Sequence, residues 1–269
     1  MMRQDQAVFR LPRVAASSGL LYTLAFNVTF FVQELFLVLP KALTPGLRPT
    51  LFHNNHTWEG EHPLASLFQG TGALAIFLTG SACAVLLRRP LARSATVQFF
   101  LIWMAYNGFF QSLPQVVLGA FNPRNDVGMA MQYLQLGAAA RTVAAIVALT
   151  VMPLIALWLA GQLLRLAEPQ QLPNGRAQGR FLFWTATLPA LAAIPLIILF
   201  RVPRNVIEVA AVPAVVTLVG VIWMQAGAWL RVPTPLAGAR HVSVVYPLAA
   251  VVFLLLVFHL VLKRGVAFY

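Results

Sequence analysis

The chain has 269 residues, 59% of them hydrophobic and 10% charged, with a mean hydropathy of +0.77. Soluble domains carry about a quarter charged residues, so composition alone excludes a water-soluble fold. The formal net charge of +12 comes from 17 Arg and 2 Lys against 7 acids; the arginines sit in short loops between apolar runs, which makes the lipid bilayer with its anionic head groups the partner and not nucleic acid.

Arg3, Arg10 and Arg13 precede the first apolar run, Ser18–Leu39, which ends at Pro40 and the Thr44-Pro45-Gly46 turn. This is read as a retained span and not a signal peptide: the run is too long, contains Gln33 and Glu34, and lacks a small-residue cleavage site after it. The second span covers Leu64–Leu87 and stops at Arg88-Arg89-Pro90. The third and fourth are Ala95–Phe121 and Thr142–Leu164. Phe181–Phe200, between Arg180 and Arg201, is the fifth, Val206–Leu230 the sixth and Val242–Leu262 the seventh. No charge falls within the fourth, fifth or seventh, and roughly 20 apolar residues suffice to cross the hydrocarbon core. Only helices or closed barrels satisfy the backbone in lipid, and period-2 alternation is absent. The expectation is an all-α polytopic transmembrane bundle of about seven spans, one domain over residues 1–269, without repeats. Cys83 stands alone in an apolar run, which excludes an internal disulfide and a cysteine metal cluster.

With seven spans, Arg3, Arg10, Arg13, Arg88, Arg89, Arg93, Arg165, Arg176, Arg180, Arg231 and Arg240 fall on the N-terminal side. Lys41, Arg48, Arg124, Arg141, Arg201, Arg204, Lys263 and Arg264 fall on the other. The excess places the N-terminus in the cytoplasm by the positive-inside rule.

Polar residues inside spans are costly and point to function or to interhelical bonding. Glu34 is the one acid clearly within an apolar run, with Gln33 beside it and Asn27 seven residues earlier on nearly the same face. Asn107, Gln111 and Gln115 form a stripe at i, i+4 and i+8 on the third span. Lipid would penalise either stripe alone, so the two are expected to face each other. Spans one and three run in the same direction, so their ends emerge together with the loop His53-Asn54-Asn55-His56-Thr57-Trp58-Glu59-Gly60-Glu61-His62. Histidine and carboxylate form the natural ligand set for zinc or iron. His53, His56, His62, Glu59 and Asp126 are the candidate ligands, with Glu61 also at hand; a polar loop with Trp58 at the lipid interface is the competing reading. The third span is followed by Asn122-Pro123-Arg124-Asn125-Asp126-Val127-Gly128.

The order of these elements resembles the site-2 family of intramembrane metalloproteases. That family carries His-Glu-x-x-His on one helix and an Asn-Pro…Asp-Gly type motif on a later one. The resemblance implies that Glu34 takes the place of the water-activating glutamate and Asp126 that of the metal-binding aspartate, so these two are the catalytic candidates. Gln33 and Leu37 stand where the two zinc histidines would be, and Val127 interrupts Asp-Gly. A standard zinc site is therefore not expected, and the chain reads as a non-proteolytic relative. Two other readings stay open. One is a metal-dependent membrane enzyme using the His53–His62 loop. The other is a non-catalytic subunit that pairs with other membrane subunits in an energy-transducing or pigment-bearing complex. Retinal binding is set aside because Lys41 and Lys263 lie at span ends, and His259 has no partner spacing for haem.

Overall fold

The computed structural model describes residues 2–89, 94–202, 205–230 and 242–269, with side chains from Leu11 onward. Arg93, Arg204, Arg231 and Arg240 of the charge balance lie outside the described residues. Helix α1 (Met2–Ala42) is followed by strands β1 (Arg48–Leu51) and β2 (His56–Glu59). Then come α2 (Ala65–Leu86), α3 (Ala95–Phe121), α4 (Asp126–Tyr133) and α5 (Ala138–Leu164). Helix α6 (Gly175–Leu182) runs through a π-helical turn, Phe183–Thr187, into α7 (Leu188–Arg201) as one rod. A second π-helical turn, Ile207–Ala211, opens α8 (Val212–Leu230), and α9 (Val245–Leu260) precedes a short strand β3 (Val266–Ala267).

Six helical rods among the described residues are long and apolar enough to cross a membrane. These are Leu11–Ala42, Ala65–Leu86, Ala138–Leu164, Gly175–Arg201, Ile207–Leu230 and Val245–Arg264. The remaining predicted span, α3, is helical over its predicted range, but its amide stripe lowers its hydropathy. The protein is an all-α membrane bundle, and α3 lies at its centre: Trp103, Ala105, Tyr106, Asn107 and Phe110 are fully buried.

Helix α1 continues beyond the predicted stop at Pro40. A proline has no N–H for the carbonyl four residues back, here that of Phe36, and Thr71 Oγ1 from α2 donates to it at 2.6 Å. Pro189 leaves the Thr185 carbonyl in the same condition at the π-helical turn, and Ser18 Oγ of α1 donates there at 2.6 Å. Trp103 Nε1 in turn donates to Ser18 Oγ at 2.9 Å. Neighbouring helices thus repair the backbone where proline breaks it. Around this chain the rings of Tyr22 and Trp103 meet edge to face at 4.9 Å. Tyr22 and Thr217 hydroxyls lie 2.7 Å apart, and Tyr106 OH donates to the carbonyls of Val216 and Thr217.

The loop after α1 is not irregular. The chain there pairs β1 with β2 as an antiparallel hairpin, Leu51 opposite His56 and Arg48 opposite Glu59. Strand β3 joins the other edge of β1, giving the order β2-β1-β3. The strands are only two to four residues long, too short for an alternating pattern to stand out from loop sequence. Gly60 follows β2 at the open end of the hairpin with φ 91°, a backbone conformation that glycine adopts without steric cost.

Candidate functional site

Glu34 sits on α1 with 6% of its surface exposed. The β2 strand lays His56 over it, and His56 Nδ1 is 2.8 Å from Glu34 Oε2. Two turns further along α1, Lys41 is fully buried. Its Nζ donates to the Leu37 carbonyl at 2.8 Å and meets His56 Nε2 at 3.3 Å. An ammonium has only donors, so Nε2 is the acceptor and the ring proton is on Nδ1, donating to the Glu34 carboxylate. The Lys41 Nζ also lies 4.5 Å from the centre of the Trp58 ring, on which His56 stacks at 5.7 Å. The result is a chain from ammonium through imidazole to carboxylate at the end of α1, closed over by a hairpin and shielded from lipid.

The Asn122–Gly128 stretch has a clear local role. Asn125 caps α4: its side-chain oxygen accepts from the backbone N–H of Val127 at 3.0 Å and of Gly128 at 3.3 Å, the usual way to satisfy the first amides of a helix. Asp126 is the first residue of that helix. Of the elements expected to converge, Glu34 and the histidine loop meet through His56, and Asp126 opens α4.

The other loop candidates go elsewhere. His53 Nε2 donates to the Val202 carbonyl at 3.1 Å, and its ring lies 5.8 Å from that of His259. Neighbouring Asn54 donates to the Arg201 carbonyl at 3.0 Å. His53 thus faces the ends of α7 and α9 while His56 faces α1. His62 Nδ1 accepts from the Leu64 amide at 3.2 Å, and Glu59 and Glu61 are exposed. Among the described residues no three His, Cys, Asp or Glu side chains come together as a metal-ligand set.

The zinc implied by the site-2-protease resemblance does not fit the residues in its place. Leu37 is buried at 1% exposure and offers no donor atom. Gln33 has its Oε1 already taken by Gln115 Nε2 at 2.9 Å. The Lys41 ammonium beside Leu37 would repel a dication.

The amide stripe of α3 does face α1, but through Gln33 and the backbone and not through Glu34. Asn107 donates to the Trp103 carbonyl, and Gln111 donates to Asn107 Oδ1 at 3.2 Å and to the Phe26 carbonyl at 3.3 Å. Gln115 donates to the Gln111 carbonyl at 2.8 Å as well as to Gln33. Asn27 donates to the Thr23 carbonyl at 2.8 Å, with its buried Oδ1 unpartnered among the described residues. Gln115→Leu should leave the Gln33 carbonyl oxygen unpaired and lower stability by about 1–2 kcal/mol. Thermal unfolding in detergent checks this; the double change with Gln33→Leu should recover part of the loss, and full additivity of the two would rule out the contact.

Lys41 and Trp58 are the site residues that the sequence did not single out. The available signal was spacing: Lys41 follows Glu34 by seven residues and so shares its helix face. Compared with family models, with curated proteins and with solved structures, the chain finds no match.

Proposed function

We propose that this chain is a non-proteolytic membrane protein of site-2-protease-like organisation, with its N-terminus on the cytoplasmic side. The observation that carries the reading is the commitment of Glu34 to His56 and, through it, to Lys41. A glutamate that activates water must have a carboxylate oxygen directed at that water, held by a metal that makes it acidic. Here the carboxylate accepts from an imidazole, and the positive charge that balances it is a side chain of the same helix. Charge is stored where a hydrolase would have left it free to act. The site then serves to hold or to bind, and hydrolysis is lost.

The test restores what the resemblance lacks. Gln33 and Leu37 both crowd the same point on α2: a Cβ on Gly72 would lie 2.7 Å from Leu37 Cγ and 2.9 Å from Gln33 Cγ. Histidines at these two positions share one helix face. In the detergent-purified variant Gln33→His with Leu37→His and Lys41→Met, elemental analysis should find about one zinc per chain, because two imidazoles and a carboxylate supply three of four tetrahedral ligands. The unaltered protein should carry none. A monodisperse triple variant that takes up no zinc would remove the basis for the kinship. Stoichiometric metal in the unaltered protein, lost on His53→Ala with His56→Ala, would replace this reading by a metalloenzyme built on the hairpin.

A further inference from the structure

The outer wall of the bundle carries a cleft of about 340 Å³ between α2, α3 and α5. Ala84, Val85, Phe109, Leu154, Ile155 and Trp158 line it, and the only charged group in its lining is Arg88. The cleft opens outward, since Val85 and Leu154 are more than half exposed. Its charged end lies where α2 finishes: Arg88 stands just past Leu86, its guanidinium 5.8 Å from the centre of the Trp158 ring. Arg88 makes no ion pair among the described residues, and the exposed Arg89 follows it.

We propose that this cleft holds one acyl chain of an anionic phospholipid, with the phosphate seated on Arg88. Three features select that occupant. The cleft forms part of a helical wall whose composition places it in hydrocarbon, so the molecules that reach it are lipid chains. Its volume of about 340 Å³ gives room for a stretch of acyl chain. The guanidinium is a planar fork that matches phosphate oxygens in pairs, and resting on Trp158 restricts its freedom before the lipid arrives. Trp and Arg together mark the head-group level of a membrane span. A second cleft, about 460 Å³ between α1 and α7, is lined by Ala15, Gly19, Leu20, Pro189, Ala193 and similar apolar residues with no charge. It provides the internal contrast: it can take a chain but has nothing to choose a head group.

Native mass spectrometry of the detergent-purified protein, titrated with phosphatidylglycerol and with phosphatidylcholine of the same chains, tests the assignment. One phosphatidylglycerol should be retained about fivefold more strongly than phosphatidylcholine, the effect of roughly one basic residue at an anionic surface. Arg88→Gln, at an exposed position, should abolish that preference, whereas Arg264→Gln at the far end of the chain should leave it. Ala84→Phe, which fills the cleft without changing charge, should weaken retention of both lipids at this site. Equal retention of the two lipids by the unaltered protein, or a preference that survives Arg88→Gln, would overturn the proposal. So would a dimer mass that disappears with Ala84→Phe, since the cleft would then belong to a second copy of the chain.

Discussion

Lys41→Met should lower the thermal stability of the detergent-solubilised protein more than any other single charge change, by about 3–5 kcal/mol. The ammonium is fully buried, bonded to the Leu37 carbonyl and to His56, with Glu34 on the far side of the imidazole. Removing it leaves a buried carboxylate with no compensating charge in its hydrogen-bonded chain, and the cost of an orphaned buried charge exceeds the worth of the pair that held it. Lys41→Arg should not rescue the protein. The longer planar guanidinium cannot occupy the space of a compact ammonium packed against Trp58. Adding Glu34→Gln to Lys41→Met should recover a good part of the loss, because the double change removes both charges. The coupling between the two sites is the quantity to measure. A Lys41→Met protein that melts with the parent would mean that the Lys41–His56–Glu34 chain contributes nothing to the fold, and the account of the site would fall with it.

Gly108→Val should be the most damaging change in the helix interfaces, at about 3 kcal/mol, the upper end for overpacking. Helices α2 and α3 touch backbone to backbone at Gly80 and Gly108. A Cβ on Gly108 would lie 2.6 Å from Gly80 Cα and 2.6 Å from the Ile76 carbonyl oxygen. Both obstacles are backbone, so relief requires moving a whole helix, and α3 carries the amide stripe and the buried aromatic cluster with it. Gly220 is tight for a different reason, since a side chain there would run into the Tyr106 ring and not into backbone. Gly161 provides the control: nothing lies within 4 Å of its added Cβ. Gly161→Ala, inside α5, should be neutral or stabilising by up to roughly 1 kcal/mol through helix propensity. Unfolding of the two variants in one detergent compares them, and equal melting of the Gly108 and Gly161 variants would exclude a tight α2–α3 crossing.

Much of the architecture was legible because each span is long and the cost of an unpaired backbone in lipid leaves only one solution. The range Ala95–Phe121 was read to the residue, and Thr142–Leu164 differs from the observed helix only at its start. The signs that failed were local stop signals. Pro40 reads as a terminator, yet α1 passes through it because Thr71, on another helix, meets the carbonyl that the proline strands. The same holds at Pro189 with Ser18. Sequence marks where a hydrogen bond is lost but not who restores it. The histidine loop also misled by proximity. Three histidines within ten residues suggest one ligand cluster, but in a hairpin the side chains of successive strand residues leave on opposite faces. The turn between β1 and β2 sends His53 toward Val202 and His56 toward Glu34.

By itself the sequence determined that this is a helical membrane protein, that α1 and α3 carry polar stripes, and that Leu37 offers a metal no donor atom and Gln33 only a weak one. These follow from composition, from spacing and from the donor atoms of the side chains, none of which depends on neighbours distant in the chain. The tertiary structure alone decided which polar groups meet. Glu34 turned from the α3 stripe to His56, Gln33 took its place against Gln115, and Lys41, which reads as a span-end anchor, became the buried cation of the site. The physical reason is that a buried charge takes its partner from whatever element packs over it. Here that element is a hairpin whose pairing, strand by strand, is too short to be written in the pattern of its residues.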